Sequence, residues 1–353
     1  MLFEEIEFMT LSEASVQMEE LLRAGLVPML HGSPAMGKSA VAAMVAKKFR
    51  LKLIDLRLTQ LDPADLNGLP DLAGKRATFK TFDMFPLEDD PIPEGYTGWL
   101  LFLDEINSAD DDRQAAAYKL ILDHMVGQQK LHPKVLKACA GNLETDGAIV
   151  NGLGSAMVSR LVHLAVKPSL KEFLQYVVPE IDFSPRLAGF LEFSPSSFYT
   201  FDPANPGNQF SAPRTLEFAS KYMKSVQKGP DDWSILESLP RQKTMMGIIG
   251  KGITPSLVSY LKYFEHLPTW NEIVSDPENT EVPVGSPGVM FAICSLIAEN
   301  INMDNIEKTL VYIDRMQPDF QTVALRMAAR ANKTLRQNRR IGSWMAQNLD
   351  NLV

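Results

Sequence analysis

The sequence predicts an α/β fold, a parallel sheet of five strands covered by helices on both faces, followed by an all-helical C-terminal half. Three observations predict it. Apolar runs of strand length alternate with helical stretches through about the first 168 residues. Those runs are almost continuously apolar, as in strands buried on both faces. Beyond Pro168 the strand-like runs stop and helical patterning continues to the end of the chain.

Each element has its own signal. Thr10 with Glu13 forms a capping box ahead of the amphipathic run Ala14 to Leu22, and Gly25 can end that helix. The strand Leu26 to Leu30 leads through a glycine-rich turn into a helix, Ser39 to Lys47, and Lys52 to Arg57 is a second strand. From Gln60 to Gly98 the alternation breaks into a segment rich in proline, glycine and acids, too long for a plain loop. Gly74 and Lys75 can turn a hairpin there, with Ala77 to Phe82 as its return strand. Trp99 to Asn107 is an apolar strand ending in acids, Gln114 to Met125 a helix, and Lys134 to Asn142 and Arg160 to Val166 are the fourth and fifth strands. Residues 169 to about 228 form a small helical domain. Gly229, Pro230, Asp231 and Asp232 have the composition of a linker, and 229–353 is again helical, interrupted by the loop Ser275 to Gly288. The expected domains are thus 1–168, with an insert at about 60–98, then 169–228 and 229–353.

Composition narrows the class. A chain of 353 residues with 45% hydrophobic and 22% charged residues is an ordinary globular protein of two or three domains. The acidic N-terminus MLFEEIEF lacks the basic region of a signal peptide, and Val289 to Ile297 falls far short of the roughly 20 residues that span a membrane. A cytoplasmic protein with no membrane association is expected. The two cysteines, Cys139 and Cys294, sit apart in apolar runs and read as buried free thiols. The five histidines show no zinc-ligand spacing, so Mg²⁺ arriving with a nucleotide is the only metal implied. A net charge of −8 argues against coating by nucleic acid. A basic stripe, Arg326, Arg330, Lys333, Arg336 and Arg340, reads first as a solvated helix face or one paired with acids.

The chemistry begins in HGSPAMGKSA. Gly32, Ser33, Pro34, Ala35, Met36, Gly37, Lys38 and Ser39 match G-x-x-x-x-G-K-[ST], a loop whose backbone N–H groups converge on phosphates, and Ala40 continues into the helix. Lys38 can reach the β- and γ-phosphates, and the Ser39 hydroxyl can bind Mg²⁺. Asp104 and Glu105 close the third strand at the edge where α/β sheets bind ligands. Asp104 can hold Mg²⁺ through its water shell, and Glu105 can orient and polarise the attacking water. Asn142, at the tip of the fourth strand, reads equally as a turn residue and as a ligand of the lytic water or γ-phosphate. Arg160 is an edge charge or an anion ligand. Arg214 opens a helix, where the dipole disfavours a cation, which hints at a nearby anion.

In this order the P-loop, Asp104-Glu105, Asn142, Arg160 and Arg214 resemble Walker A, Walker B, sensor 1, arginine finger and sensor 2 of an AAA+ ATPase. More closely, the chain resembles the MoxR family, with its CbbQ and NorQ relatives. The similarity lies in LIDLRLTQLDPADLNGLP, FLDEIN, AGNLETDGAIV and SAMVSRLVHL, covers about residues 10 to 226 well, and extends more loosely into the tail. Ser108 and Leu161 depart from the family's common Arg and Phe. The guanine-reading N-K-x-D is absent, Asn332 and Lys333 being followed by Thr334 and Leu335, so ATP is the natural substrate.

The resemblance implies an AAA+ core with a helical lid, ATP hydrolysis, a ring that is hexameric in the family, and a client protein, often one with a von Willebrand factor A domain. It also likens Pro63 to Phe85 to the family's helix 2 insert. There Phe79, Phe82, Met84 and Phe85 either face the ring axis or anchor the insert to the core. Two alternatives stand beside this reading: a DNA-handling AAA+ helicase or loader, and a nonhydrolysing nucleotide-gated scaffold.

Overall fold

The structure, a computed structural model, describes residues 7–73, 78–146, 152–229, 232, 234–263, 267–283 and 287–347. The chain divides into two compact units, Met1–Ser169 with Asp202–Pro206, and Leu170–Phe201 with Gly207–Val353.

The first unit opens with helix α1 (Leu11–Arg23), whose capping box forms as expected: the Glu13 N–H donates to Thr10 Oγ1 and the Thr10 N–H to Glu13 Oε2. There follow β1 (Val27–His31), α2 (Lys38–Lys48), β2 (Leu51–Arg57), β3 (Gly98–Asp104), α3 (Asp111–Leu122), β4 (Val135–Gly141) and β5 (Leu161–Ala165). The five strands form one parallel sheet in the order β2-β3-β4-β1-β5. All seven residues of β3 are buried, which is why its sequence is an unbroken apolar run. Pro28 fits within β1 because pairing with β4 begins only at Met29.

Register positions the site. Cys139 of β4 pairs with Leu103 of β3 on one side and with Met29 of β1 on the other. Since all strands are parallel, their C-terminal ends share one edge. Strand β4 separates β1 from β3, so Asn142 emerges between the loop after β1 and the acids that close β3.

In the insert, Leu69–Asp71 pairs antiparallel with Thr78–Lys80. The expected turn at Gly74 and Lys75, and Ala77 at the start of the return strand, lie outside the described residues. Phe85 is fully buried in the core under the sheet and Met84 packs against the same cluster, so both anchor the insert, while Phe79 and Phe82 are half-buried. Leu72, near the end of the hairpin, is 77% exposed.

Among its described residues the second unit is helical. It contains α4 (Pro185–Phe193), α5 (Pro213–Val226), α6 (Leu239–Ile249), α7 (Thr254–Tyr263), α8 (Pro287–Asn300), α9 (Ile306–Asp314) and α10 (Pro318–Ala331). Helices on both sides of the linker-like 229–232 bury side chains in one cluster, from Phe190 and Leu216 to Ile293 and Ala328. Arg186 ties the two sides together: it is fully buried, its Nε donates to Glu299 Oε2 at 3.0 Å, and its Nη1 donates to the Asp232 carbonyl. Pro230, Asp231 and Trp233 lie outside the described residues.

Four cations of the basic stripe are paired within their own unit, and the side chain of Arg336 lies outside the described residues. Arg330 reaches Glu192 Oε1 at 2.8 Å and Arg326 the same oxygen at 3.4 Å, while Lys333 pairs with Glu180 and Arg340 with Asp314. Among the described residues, no helix is long and apolar enough to cross a membrane.

Candidate nucleotide-binding site

The turn after β1 leaves no room for a side chain at its first glycine unless its neighbours shift. A Cβ on Gly32 would lie 2.4 Å from Met36 Sδ and 2.7 Å from Val166 Cγ2. Ala35 (φ 60°) and Gly37 (φ 110°) turn left-handed, and such reversals point successive N–H groups into one concavity. Helix α2 starts at Lys38 with Gly37 as its N-cap and no side chain capping it, so its first N–H groups are directed at the same place. This cradle fits a polyphosphate.

Lys38 is buried at the mouth of the loop. Its ammonium donates to the carbonyls of Gly32 and Ser33 and, at 3.2 Å, to Asn142 Oδ1. The loop's lysine and the tip of β4 therefore meet, as the register requires. Ser39 Oγ donates to Asp104 Oδ2 at 2.9 Å, bringing one hydroxyl and one carboxylate to a single point. Few, hard oxygen donors suit Mg²⁺, which keeps most of its waters. Burial first, then the charge of Asp104, raises the carboxyl pKa of Asp55 on β2.

Glu105 begins the turn after β3 in a left-handed conformation (φ 58°), with its N–H bound to Asp104 Oδ1. Its Oε2 accepts from the hydroxyl of Thr59, in the short 3₁₀ turn that follows β2. Asp146 is 2% exposed and stitches the loop after β4 to the P-loop, accepting from Ser33 Oγ at 2.9 Å and from the Leu143 N–H at 3.1 Å. Burial raises its pKa, against those two hydrogen bonds and the attraction of Lys38.

Beneath the P-loop, His31 and His163 stack with ring centroids 5.0 Å apart and share a hydrogen bond of 2.7 Å. His163 Nε2 meets the Val158 carbonyl at 3.0 Å, which makes it the donor there and leaves Nδ1 to accept from His31. Burial, reinforced by His163 and Lys38, pushes the His31 pKa down to about 3, so His31 stays neutral.

Arg160 follows the helical turn Ser155–Val158. It is exposed, donates to the Ala156 carbonyl at 2.8 Å, and sits 6.0 Å from the ring centroid of Tyr118. Arg214, second residue of α5, is exposed in the other unit and makes no ion pair among the described residues. The structure thus brings together Gly32 through Ala40, Asp104, Glu105 and Asn142, with Arg160 beyond them. Three further residues belong to this edge: Thr59, Asn107 and Asp146. All three stand in stretches quoted for the family resemblance, Thr59 in LIDLRLTQLDPADLNGLP, Asn107 in FLDEIN and Asp146 in AGNLETDGAIV, but no spacing or local pattern singles them out.

No protein-family model and no curated protein matches this chain. Among solved structures it is similar to an ATPase of Cytophaga hutchinsonii, at 13% identity over 91% of this chain and 81% of that one, with a TM-score of 0.36. It is also similar to NtrX of Brucella abortus in complex with ADP, at 15% identity over 97% and 68%, with a TM-score of 0.39. A third is a RuvB variant of Thermotoga maritima, at 14% identity over 87% and 76%, with a TM-score of 0.34.

Proposed function

We propose that this protein is an ATP-hydrolysing AAA+ ring protein of MoxR type that remodels or activates a partner protein. One observation carries the reading. Along a single sheet edge, Lys38 touches Asn142, Ser39 touches Asp104, and Glu105 stands next in the chain, so phosphate, metal and water ligands converge. A phosphate-binding loop alone would need neither the carboxylate at Ser39 nor the one after it.

In this reading the P-loop N–H groups and Lys38 bind and orient the phosphates. Ser39 and Asp104 would hold Mg²⁺, which would supply neutralisation of phosphate charge. Glu105 orients the attacking water and accepts its proton, while Asn142 aligns the water or the γ-phosphate. Arg160 completes the active site of the neighbouring subunit, and Arg214 couples the helical unit to bound nucleotide. The ring, hexameric in the family, and a client bearing a von Willebrand factor A domain follow from the family resemblance. The DNA-handling alternative is weakened because four cations of the basic stripe are paired within the chain.

Titration with a fluorescent ATP analogue, together with phosphate release, tests the reading. Lys38→Ala loses nucleotide binding, whereas Glu105→Gln binds and does not turn over. Equal loss of binding in both variants overturns the roles, and wild-type protein that binds without releasing phosphate is the gated scaffold. Affinity capture on Glu105→Gln in its native cell then tests the client: a von Willebrand-type protein supports the reading and DNA opposes it.

A further inference from the structure

Asn107 lies two residues beyond Glu105 in the 3₁₀ turn Ile106–Ser108 and is 4% exposed. Its side-chain amide faces the peptide of Asn142. Nδ2 donates to the Asn142 carbonyl at 2.7 Å, and Oδ1 accepts the Asn142 N–H at 3.1 Å. The two bonds close a ring, as a rung of a sheet ladder does. Main-chain pairing of β3 with β4 ends at Leu103 and Cys139, where the left-handed Glu105 turns the chain away, and Asn107 adds a further rung from its side chain. The fit is close: a Cβ on Gly141 would lie 2.1 Å from Asn107 Oδ1 and 2.6 Å from its Cγ. With its backbone held this way, Asn142 has its own side chain free to meet Lys38.

We propose that Asn107 is a positioning residue for ATP hydrolysis. It fixes the Asn142 side chain against the P-loop lysine and joins the Glu105 turn and the tip of β4 into one rigid piece. The chemistry admits few substitutes at this position. Aspartate keeps the acceptor but sets a carboxylate against the Asn142 carbonyl, serine falls short of both partners, and glutamine overshoots. The proposal rests on the function given above, and its test has a readout that does not depend on turnover.

That readout is hydrogen exchange at the Asn142 amide, measured beside the ATP-analogue affinity and steady-state turnover of the full chain. Asn107→Leu, which has neither the acceptor nor the donor, should keep analogue affinity within about threefold and lower kcat at least tenfold with little change in KM, since a lost hydrogen bond to a positioning group appears in the chemical step. Its Asn142 amide should exchange at least tenfold faster, the neighbouring β4 amides remaining protected. If Asn107→Leu does not fold, Gly141→Ala carries the test, because the added methyl displaces the Asn107 amide and should give the same pattern. Unchanged Asn142 exchange in a folded variant, or kcat and KM at wild-type values, overturns the proposal. Wild-type protein without phosphate release overturns the proposed function instead, and the Asn142 exchange still reports whether Asn107 holds the tip of β4.

Discussion

The Thr59 hydroxyl donates a hydrogen bond to Oε2 of Glu105, joining the turn after β2 to the left-handed residue that follows β3. Adjacent strands bring the two together: Arg57 pairs with Asp104, and each chain then turns at the same level. The bond restricts a carboxylate that would otherwise swing on a rotatable stem.

Thr59→Val should therefore lower turnover at saturating ATP by about tenfold, the scale of one hydrogen bond to a charged group. ATP affinity should stay unchanged, and Thr59→Ser should restore the rate. Steady-state phosphate release for the three proteins checks this, and a valine variant as active as wild type would show that Glu105 needs no such hold.

The neutral His31 makes stability depend on pH. Its folded pKa of about 3 lies below the ordinary value of 6.5, so the unfolded chain takes up a proton that the folded chain refuses. That stabilisation is present above about pH 6.5 and is lost as the pH falls toward 3, by up to about 1.4 kcal/mol per pH unit for one proton. His31→Gln should flatten the curve of stability against pH over this window. Urea unfolding at pH 4.5, 5.5 and 7 decides it, parallel curves for the two proteins being the contrary result.

Arg330 and Arg326 converge on Oε1 of Glu192, whose side chain is only 8% exposed. Arg330→Ala leaves that carboxylate with the longer contact alone and should destabilise the helical unit by about 2 kcal/mol. Because four of the stripe's five cations are paired inside the chain, single-stranded DNA should not raise ATP turnover at low salt. Thermal unfolding measures the first effect. Stimulation by DNA that fades steeply with added salt would reverse the second expectation.

What could be read from the residues was whatever burial or spacing imposes on contiguous sequence. Strand β3 is apolar throughout because every residue is buried, and the P-loop shows itself because glycines, lysine and serine must fall at fixed intervals. Asn142 could be suspected from its place at a strand end, yet its contact with Lys38 depends on β4 lying between β1 and β3, an order that no local pattern encodes. Thr59, Asn107 and Asp146 were hidden for the same reason, since each acts through a partner 35 to 113 positions away. The insert aromatics were ambiguous because an irregular segment has no periodicity to separate an inward Phe85 from an outward Leu72. The cations of the stripe look alike in sequence, and only the folded helices supply Glu192, Glu180 and Asp314 as partners.

Cys139 sits in β4 between Leu103 and Met29 with no exposed surface, and burial pushes its thiol up to about 12; Cys294, in α8, is equally enclosed and its thiol is also raised. At neutral pH the Cys139 thiol therefore stays protonated. The folded chain is in effect a thiol-silent background, although its two cysteines are native. One cysteine introduced at Leu72, or at the exposed Met44 of α2, would be the sole site taken by a maleimide dye, and a spectroscopic reporter could be placed on either position without first removing a residue from the core.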